Sequence, residues 1–440
     1  MTEADSPLHG VVVLDLTEYV AGPYATMMLA DLGAEVWKIE PYEGDHWRRQ
    51  QPITGRESRY FIGVNRGKKS AAIDLEKPEG RALLDRLLPL ADVLILNHRP
   101  ATLRRLRLSY EDVRPLRPDL IYCSMTAFGD RGPFSERPGY DLLIQALSGM
   151  MDFERKVERG VPLGITSFAP ADLSTGMYAA FAIAAALFRR ALTGEGQRIE
   201  LSLFASGLAI QYRPTLQVER LDAEPRRQLL EAVRAGREAG RTYEEMLSFR
   251  TGLGLQRATA HYYRVYQTAD SLIAVACLNN RQRRALCRVL GIEDPAVEGP
   301  VFELGPPLSP EEHEAKMRRF EEAFRQRTTE EWLQAFEAAD VPAVPVLLTE
   351  EVFDHPQVVE NDLFFRLDHP VVGPILQPRP PLRISPGSAG AARPAPCFSE
   401  HVYEILGHAG LDRSEVEELA RRGVVRLPEL GAAAEGAESE

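Results

Sequence analysis

The sequence predicts an α/β protein built on a Rossmann-like parallel sheet, and three observations predict it. Strand-like and helix-like segments alternate through the first third of the chain. The strand candidates include unbroken apolar runs such as VLILN (93–97), as expected of strands covered on both faces. Pro and Gly punctuate the helices between them. In order, VVVLDL (11–16) is an apolar, β-branched strand. GPYATMMLADLG (22–33) follows as a helix with Pro23 near its start and Gly33 at its end, and EVWKIE (35–40) is the second strand. SAAIDL (70–75) precedes the helical PEGRALLDRLLPLAD (78–92), and VLILN completes that βαβ unit. Ser109 is placed to cap the short helix YEDVRPL, after which LIYCSMT (120–126) returns to strand.

The middle of the chain reads differently. Residues 220–250 are dense in Arg and Glu with a helical pattern, the mark of a linker or an exposed helical segment. HYYRVYQTADSLIAVACL (261–278) predicts a hairpin turning at Asp270 and Ser271. RQRRALCRVLG and the run 310–340 are amphipathic helices, so a small α+β domain is expected here. The Pro- and Gly-rich stretch 377–398 reads as loop, SEHVYEILGHAGLDRSEVEELARRG as helix, and GAAAEGAESE as a disordered end. The expected division is 1–215 for the N-terminal part of a large domain, 216–260 for a linker or charged helical segment, 261–342 for the small domain, 343–428 for a return linker and the C-terminal part of the large domain, and 429–440 for the tail.

Composition narrows the function. At 440 residues the chain has room for two or three domains of about 150 residues each. A hydrophobic fraction of 44% with 26% charged residues is globular rather than disordered. With 64 acidic against 52 basic residues, the net charge of -12 argues against nucleic acid as a partner. Cys123, Cys277, Cys287 and Cys397 show no CxxC spacing, which suits reduced thiols in a cytoplasm rather than disulfides or a zinc site. The start MTEADSPLHG has no basic region followed by an apolar stretch, so no signal peptide is expected. The longest apolar run, 177–188, falls short of the roughly 20 residues a bilayer span needs and reads as a buried helix, with no membrane expected.

Several familiar chemistries are absent. The turn after the first strand, TEYVAGPYA, has one glycine where a dinucleotide fingerprint requires GxGxxG. Glu40 at the end of the second strand then reads as a solvated strand end rather than a ribose ligand. No GxxxxGK[ST], HExxH or GxSxG occurs, and no histidine is assigned to a metal. Two basic clusters, Arg66, Lys68 and Lys69 in NRGKKS and Arg99, Arg104 and Arg105 in NHRPATLRRLRL, are expected near strand ends, where open α/β sheets bind ligands. Solvated surface is the plainer reading of both.

One carboxylate stands at the mouth of an apolar helix, in SFAPADLSTGMYAAFAIAAALF (167–188). After Pro170 and Ala171, Asp172 is placed to be the N-cap of a helix over 173–190, accepting from the amide of Ser174 or Thr175. A helix N-terminus favours the anionic carboxylate. The same placement would therefore keep Asp172 ionised near neutral pH and able to attack an acyl carbon.

Six stretches together resemble one family, the class III (formyl-CoA transferase-like) CoA-transferases. They are VLDLTEYVAGPYATMMLADLGAEVWKIE, NRGKKSAAIDLEKPEGRALLDRLLPLADVLILNHRPATLRRL, LIYCSMTAFGDRGPFSERPGYDLLIQALSG, ADLSTGMYAAFAIAAALFRRALTGEGQRIELSL, EEWLQAFEAADVPAVPV and EHVYEILGHAGL. They run in family order over nearly the whole chain except 217–257 and the tail. The resemblance implies a Rossmann-like large domain with an inserted small domain and an interlocked homodimer. It implies coenzyme A and acyl-CoA as substrates beside a small carboxylic acid, and no prosthetic group. Asp172 in ADLSTGMY stands at the family's catalytic aspartate, which forms an aspartyl-acyl anhydride and then an aspartyl-CoA thioester. Amides of LSTG are expected to stabilise the oxyanion. By the same matching Tyr19, Ala21, Asn97, His98, Arg105 and Leu106 correspond to CoA contacts, with Lys68 and Lys69 near the nucleotide end. Val20, Tyr140 and Asp141 are expected near the reacting centre. Val20 replaces a glutamine of formyl-CoA transferase and Pro41 a basic residue, which disfavours a formyl and oxalate pair.

Two other readings stay open. The α-methylacyl-CoA racemases share the fold and use the histidine of a GHD motif. This chain reads GYD, and the Tyr140 phenol, with an ordinary pKa near 10, is a poor base at neutral pH. The third reading is a CoA-binding relative without turnover.

Overall fold

A computed structural model describes residues 6–251, 260–300, 308–385, 387, 389–390 and 393–428. The tail expected to be disordered, 431–440, lies outside them, as does 252–259 of the charged segment. Contacts divide the chain into two units, Met1–Gln217 with Asp362–Glu440, and Val218–Asn361.

The first unit holds a six-stranded parallel sheet of β1 (Val12–Leu16), β2 (Glu35–Glu40), β3 (Lys68–Ala72), β4 (Val93–Leu96), β5 (Ile121–Thr126) and β6 (Gln197–Ser202), in spatial order 3-2-1-4-5-6. Alternation sends successive side chains to opposite faces. Leu14, Leu16, Trp37, Ile39, Leu94, Leu96 and Tyr122 pack on one side, in a core shared with α2 (Pro78–Leu87) and the helices Val402–His408 and Arg413–Arg421. Val13, Val36, Val93, Ile95, Ile121, Cys123 and Met125 face the other side. There they meet α1 (Ala21–Asp31) and the long α5 (Pro170–Thr193). Three further helices bear on the site: α3 (Pro100–Leu106), α4 (Asp141–Leu147) and α6 (Leu203–Ala209). Ser109 caps its short helix through a capping box with Asp112.

Strand order reverses between β1 and β4, so the loops leaving their C-terminal ends diverge and open a crevice there. The loops are tied together: Asn97 accepts from the Glu18 amide at 3.1 Å and donates to the Glu18 carbonyl at 2.8 Å. Helix α5 lies close to α1 because of Gly176. A Cβ there would stand 2.7 Å from the carbonyl oxygen of Ala21.

Among the described residues α5 is the helix long and apolar enough, by length and composition, to cross a membrane. One face packs on the sheet through Ala179, Ile183, Ala186 and Leu187. The opposite face exposes Met177, Phe181, Phe188 and Leu192.

The second unit contains a three-stranded antiparallel sheet of Tyr263–Gln267, Leu272–Ala276 and Ala343–Pro345, whose first hairpin turns at Asp270 and Ser271. Tyr262, Tyr266, Phe320, Phe324, Trp332 and Phe336 form its core. The charged segment supplies the 20-residue helix Glu219–Glu238, in which Gly236 is the buried residue. One hairpin of the first unit, Phe364–His369 with Gly373–Pro378, has no counterpart in the sequence reading. All four cysteines are free and buried.

Candidate active site

Asp172 is not the cap of its helix. Helix α5 starts at Pro170 after Ala169, and Asp172 is its third residue, in the first turn. The free amides of that turn are taken by another carboxylate from 31 residues upstream: Asp141 Oδ1 accepts from Ala171 at 2.7 Å and from Asp172 at 3.3 Å. Asp141 opens α4, with Tyr140 as the residue preceding it. Its other oxygen accepts from Gln145 Nε2 at 2.6 Å. Every partner of Asp141 is thus an N–H donor, the pattern an ionised carboxylate makes.

This arrangement overturns the expectation that the helix end would hold Asp172 anionic. No donor among the described residues reaches the Asp172 carboxyl, while burial and then the charge of Asp141 push it up to about 7. The amides of its helix end are spent on Asp141, and desolvation with like-charge repulsion outweighs what remains of the dipole. The amides and hydroxyls of LSTG do not serve as oxyanion donors here either. Leu173 donates to Ala169 at 2.9 Å, and the Ser174 and Thr175 hydroxyls donate to the Ala171 carbonyl at 3.1 and 2.7 Å. The unspent donors near the crevice are instead Ala21 and Gly22, in the first turn of α1, where Pro23 has no N–H to offer.

The loop after β1 meets this centre through aromatic contacts. Tyr19 is held at φ +69°, a left-handed conformation that costs a non-glycine residue about 1–3 kcal/mol. Its ring stacks on His46 and meets Tyr140 edge-on, with centroids 5.5 and 5.6 Å apart. Burial and the Tyr140 phenol raise the Tyr19 hydroxyl above its ordinary value, so it stays protonated. Tyr19, Val20, Ala21, Tyr140, Asp141 and Asp172 therefore converge at the crevice, and Asn97 anchors its far lip. His98 follows, partly buried, with Nδ1 unpaired and its imidazole held below its ordinary value by burial, which keeps it neutral.

Other predicted contacts fall elsewhere. Arg105 is exposed and paired with Glu76, and Leu106 is buried in the sheet core. Lys68 and Lys69 begin β3, so their backbones stand at the N-terminal ends of the strands, away from the crevice. The Lys68 ammonium is fully enclosed by Asp15 at 3.1 Å, Asn65 Oδ1 at 2.8 Å and the Pro23 carbonyl at 2.9 Å. Burial pulls it down to about 8 despite Asp15. It braces the first βα turn and has no surface to offer a nucleotide. Lys69 bridges Glu35 and Glu404 at 2.5 and 2.8 Å. Arg66 is likewise buried, paired with Asp31 at 2.7 Å. Glu40 is neither solvated nor free: 1% exposed, it holds the buried Arg48 at 2.8 and 2.9 Å. Parallel strand direction, which a residue cluster does not reveal, sends these charges to the wrong edge or inward.

Two side-chain groups have the residue types of metal ligands. Glu57, His369 and Cys397 place donor atoms within 4.8 Å of one another. However, His369 Nδ1 accepts from the amides of Val371 and Val372 at 3.2 and 3.4 Å, which puts the ring proton on Nε2, the atom facing Glu57. A nitrogen carrying its proton is no ligand. In the second group, Glu35, Glu404 and His408, Lys69 already supplies the cation. A cleft of about 670 Å³ opens beside β5 and β6, lined by Tyr110, Tyr122, Ser124, Arg104 and Arg198 among others. Asp172 does not line it, and its arginines are neutralised by Glu136, Glu111 and Glu200. We therefore place the chemistry at the crevice.

Sequence reasoning singled out neither Gln145, whose signal is only its position one turn after Asp141, nor Asp15, within the strand VVVLDL.

The chain belongs to the CoA-transferase family III, whose model matches residues 8–402. It is 35% identical over 422 residues to the succinyl-CoA:glutarate CoA-transferase of Homo sapiens, covering 95% of this chain and 90% of that protein. It is 33% identical to the succinate–glutarate CoA-transferase of Agrobacterium fabrum, covering 92% and 96%. Among solved structures, a CAIB/BAIF family protein from Brucella suis superposes with a TM-score of 0.71 at 29% identity, over 92% of this chain and 100% of that one. The protein is a family III CoA-transferase, with coenzyme A as substrate.

Proposed function

We propose that Asp172 is the nucleophile that carries CoA from an acyl-CoA donor to a free carboxylic acid, and that the acids are short dicarboxylates. The observation that carries this reading is the Asp172 carboxyl itself: in the first turn of α5, without a donor among the described residues, beside Asp141, and pushed up to about 7 by burial. The acids are inferred from the named substrates of the human and Agrobacterium relatives.

An Asp172 oxygen adds to the thioester carbonyl; the C–S bond breaks, giving CoA thiolate and an aspartyl-acyl anhydride. The thiolate adds to the aspartyl carbonyl and expels the donor acid as its carboxylate, leaving an aspartyl-CoA thioester. The acceptor carboxylate then attacks that thioester, re-forming thiolate and a second anhydride. Attack of the thiolate on the acceptor's carbonyl yields the new acyl-CoA and restores Asp172. No proton is consumed and one thioester replaces another, so no ATP is needed. A desolvated carboxylate has no water shell to shed before attack, and its raised pKa makes it the stronger nucleophile. The Ala21 and Gly22 amides are the donors suited to the oxyanion, with Tyr19, Ala21, Asn97 and His98 along the path of CoA. Arg105, exposed in the last turn of α3, is suited to a phosphate once Glu76 releases it.

The exposed stripe Met177, Phe181, Phe188 and Leu192 supports the homodimer, since four large apolar residues on one helix face are a surface for a second copy. Buried, unpaired thiols fit a cytoplasmic location. The racemase reading is disfavoured because Tyr140, in the place of the histidine, has only its phenol to offer as a base.

Hydroxylamine added during turnover with succinyl-CoA should convert Asp172 to its hydroxamate, detected on its peptide by mass spectrometry and absent from Asp172→Asn. Deuterium uptake at the α-carbon of a branched acyl-CoA without any adduct would replace this reading by the racemase. Saturable CoA binding with neither signal would leave the inactive relative.

A further inference from the structure

Gln145 is a buried amide in α4, 1% exposed, with no charged partner except Asp141. Its nitrogen donates to Asp141 Oδ2 at 2.6 Å and also to the Ile165 carbonyl at 2.9 Å, while its oxygen accepts from the Ile165 amide at 2.7 Å. The two bonds to Ile165 fix which end of the amide faces Asp141, so the donor to the carboxylate is settled by geometry. One side chain thus grips two things at once: the loop that leads into α5, five residues before that helix begins, and the carboxylate that receives the amides of Ala171 and Asp172. Gly164, beside it, allows this closeness, since a Cβ there would come within 3.3 Å of Gln145 Oε1.

Resting on the nucleophile reading above, we propose that Gln145 is a positioning residue for the transfer reaction. It pins Asp141, and through Asp141 the first turn of α5, so that a fixed negative charge and a fixed backbone hold the Asp172 carboxyl ready for the thioester. An apolar core residue in its place would leave Asp141 Oδ2 without a donor and the Ile165 amide and carbonyl unpaired. A simple packing residue would have no reason to carry three polar bonds here.

Among the described residues, the charge that acts on Asp172 is that of Asp141. Asp141 comes from α4, and Tyr140 precedes it. From the loop before α1, Tyr19 meets Tyr140 edge-on, and Tyr24 of α1 lies against Gly176. The residues of α5, α1 and α6 packed around its base, Gly176, Ala21 and Gly207, carry no charge. Asp141 is therefore the lever on Asp172, and Gln145 the lever on Asp141.

The test is the pH dependence of kcat/KM for transfer from succinyl-CoA to glutarate, measured for wild type, Gln145→Leu and Gln145→Glu, with thermal melting as a fold check. Gln145→Leu removes the donor that pins Asp141, so the Asp141 charge is no longer held against Asp172 and repels it less. Its acid limb should move down by about half a unit or more, with kcat lowered about tenfold and KM for the thioester within about twofold. Gln145→Glu keeps the volume and adds negative charge beside Asp141, so its limb should move up instead. Opposite shifts from two substitutions at one site are a response that a merely structural role does not produce. If Gln145→Leu fails to fold, the direction of the Gln145→Glu limb decides alone. An unmoved limb in the folded variants, whether or not activity falls, overturns the proposal. Wild-type hydroxamate formation on Asp172, run in parallel, separates the two readings. If it is present while the limbs stay put, only the role of Gln145 fails; if it is absent, the nucleophile reading fails and this one with it.

Discussion

Two aspartates of the same unit, Asp15, which is fully buried, and Asp172, which is partly buried, are driven in opposite directions. Burial alone would raise both. At Asp15, on β1, Lys68 and Lys38 together with the hydroxyls of Thr17 and Thr26, at 2.5 and 2.6 Å, overcome that penalty and hold the carboxyl down at about 2. At Asp172 nothing opposes burial, and the charge of Asp141 adds to it, so the carboxyl rises to about 7. The fold spends its buried cations and hydroxyls on the carboxylate that shapes the βα turn and withholds them from the one at the crevice. A carboxylate saturated with donors is inert; one left without them is reactive.

The largest expected effect comes from the unpaired side of this contrast. Asp172→Asn should lower transfer by about 10⁴-fold, as loss of a covalent nucleophile does, in a steady-state thioester-exchange assay. The sign for stability is the reverse. A carboxyl whose folded pKa lies above its unfolded value favours the folded state only while protonated, and that contribution is lost as pH rises from about 4 through about 7. Asp172→Asn should therefore be more stable than wild type at pH 7.5, by about 2 kcal/mol, in denaturant titrations. Unchanged or lower stability would mean that Asp172 has a partner this account denies it.

Lys68→Met attacks the saturated side. Removing one member of a buried pair leaves Asp15 with Lys38 and the two hydroxyls alone and should lower stability by up to about 3–5 kcal/mol, read by thermal melting. For Asp15, with its folded pKa depressed, the contribution is present above about pH 4 and disappears as pH falls toward about 2. The gap between Lys68→Met and wild type should accordingly narrow in acid. Next comes Gly176→Val, which forces α1 and α5 apart at Ala21 and should cost about 1–3 kcal/mol with a larger loss of kcat than of stability. The smallest effect is on titration: Asp141→Asn removes the like charge and should lower the acid limb of kcat/KM by about one unit.

How much of this was legible in the sequence differs between the two aspartates. The strands were, because VVVLDL, EVWKIE and VLILN carry their burial in local composition, and so was the hairpin at Asp270 and Ser271. Asp172 was visible as a residue through the stretch ADLSTGMY. Its ionisation was not, since that depends on Asp141 and Gln145, whose positions relative to the helix exist only after folding. The basic run NRGKKS misled for the same reason. Lys68 looked like a loop cation, but β3 begins there and turns its side chain inward to Asp15. Glu40 looked like a strand end facing water and instead secures Arg48. Local pattern reports which residues are strand or helix; it does not report which buried charges meet.

The most direct measurement of the central claim is a single turnover with glutarate carrying ¹⁸O in both carboxylates and succinyl-CoA as donor, followed by mass analysis of the peptide containing Asp172. If Asp172 forms the anhydride, one oxygen of the acceptor remains on its carboxyl when glutaryl-CoA departs, and the peptide gains about 2 Da. Glutaryl-CoA formed with no label on that peptide would contradict the account, because the acceptor would then have reached CoA without passing through Asp172.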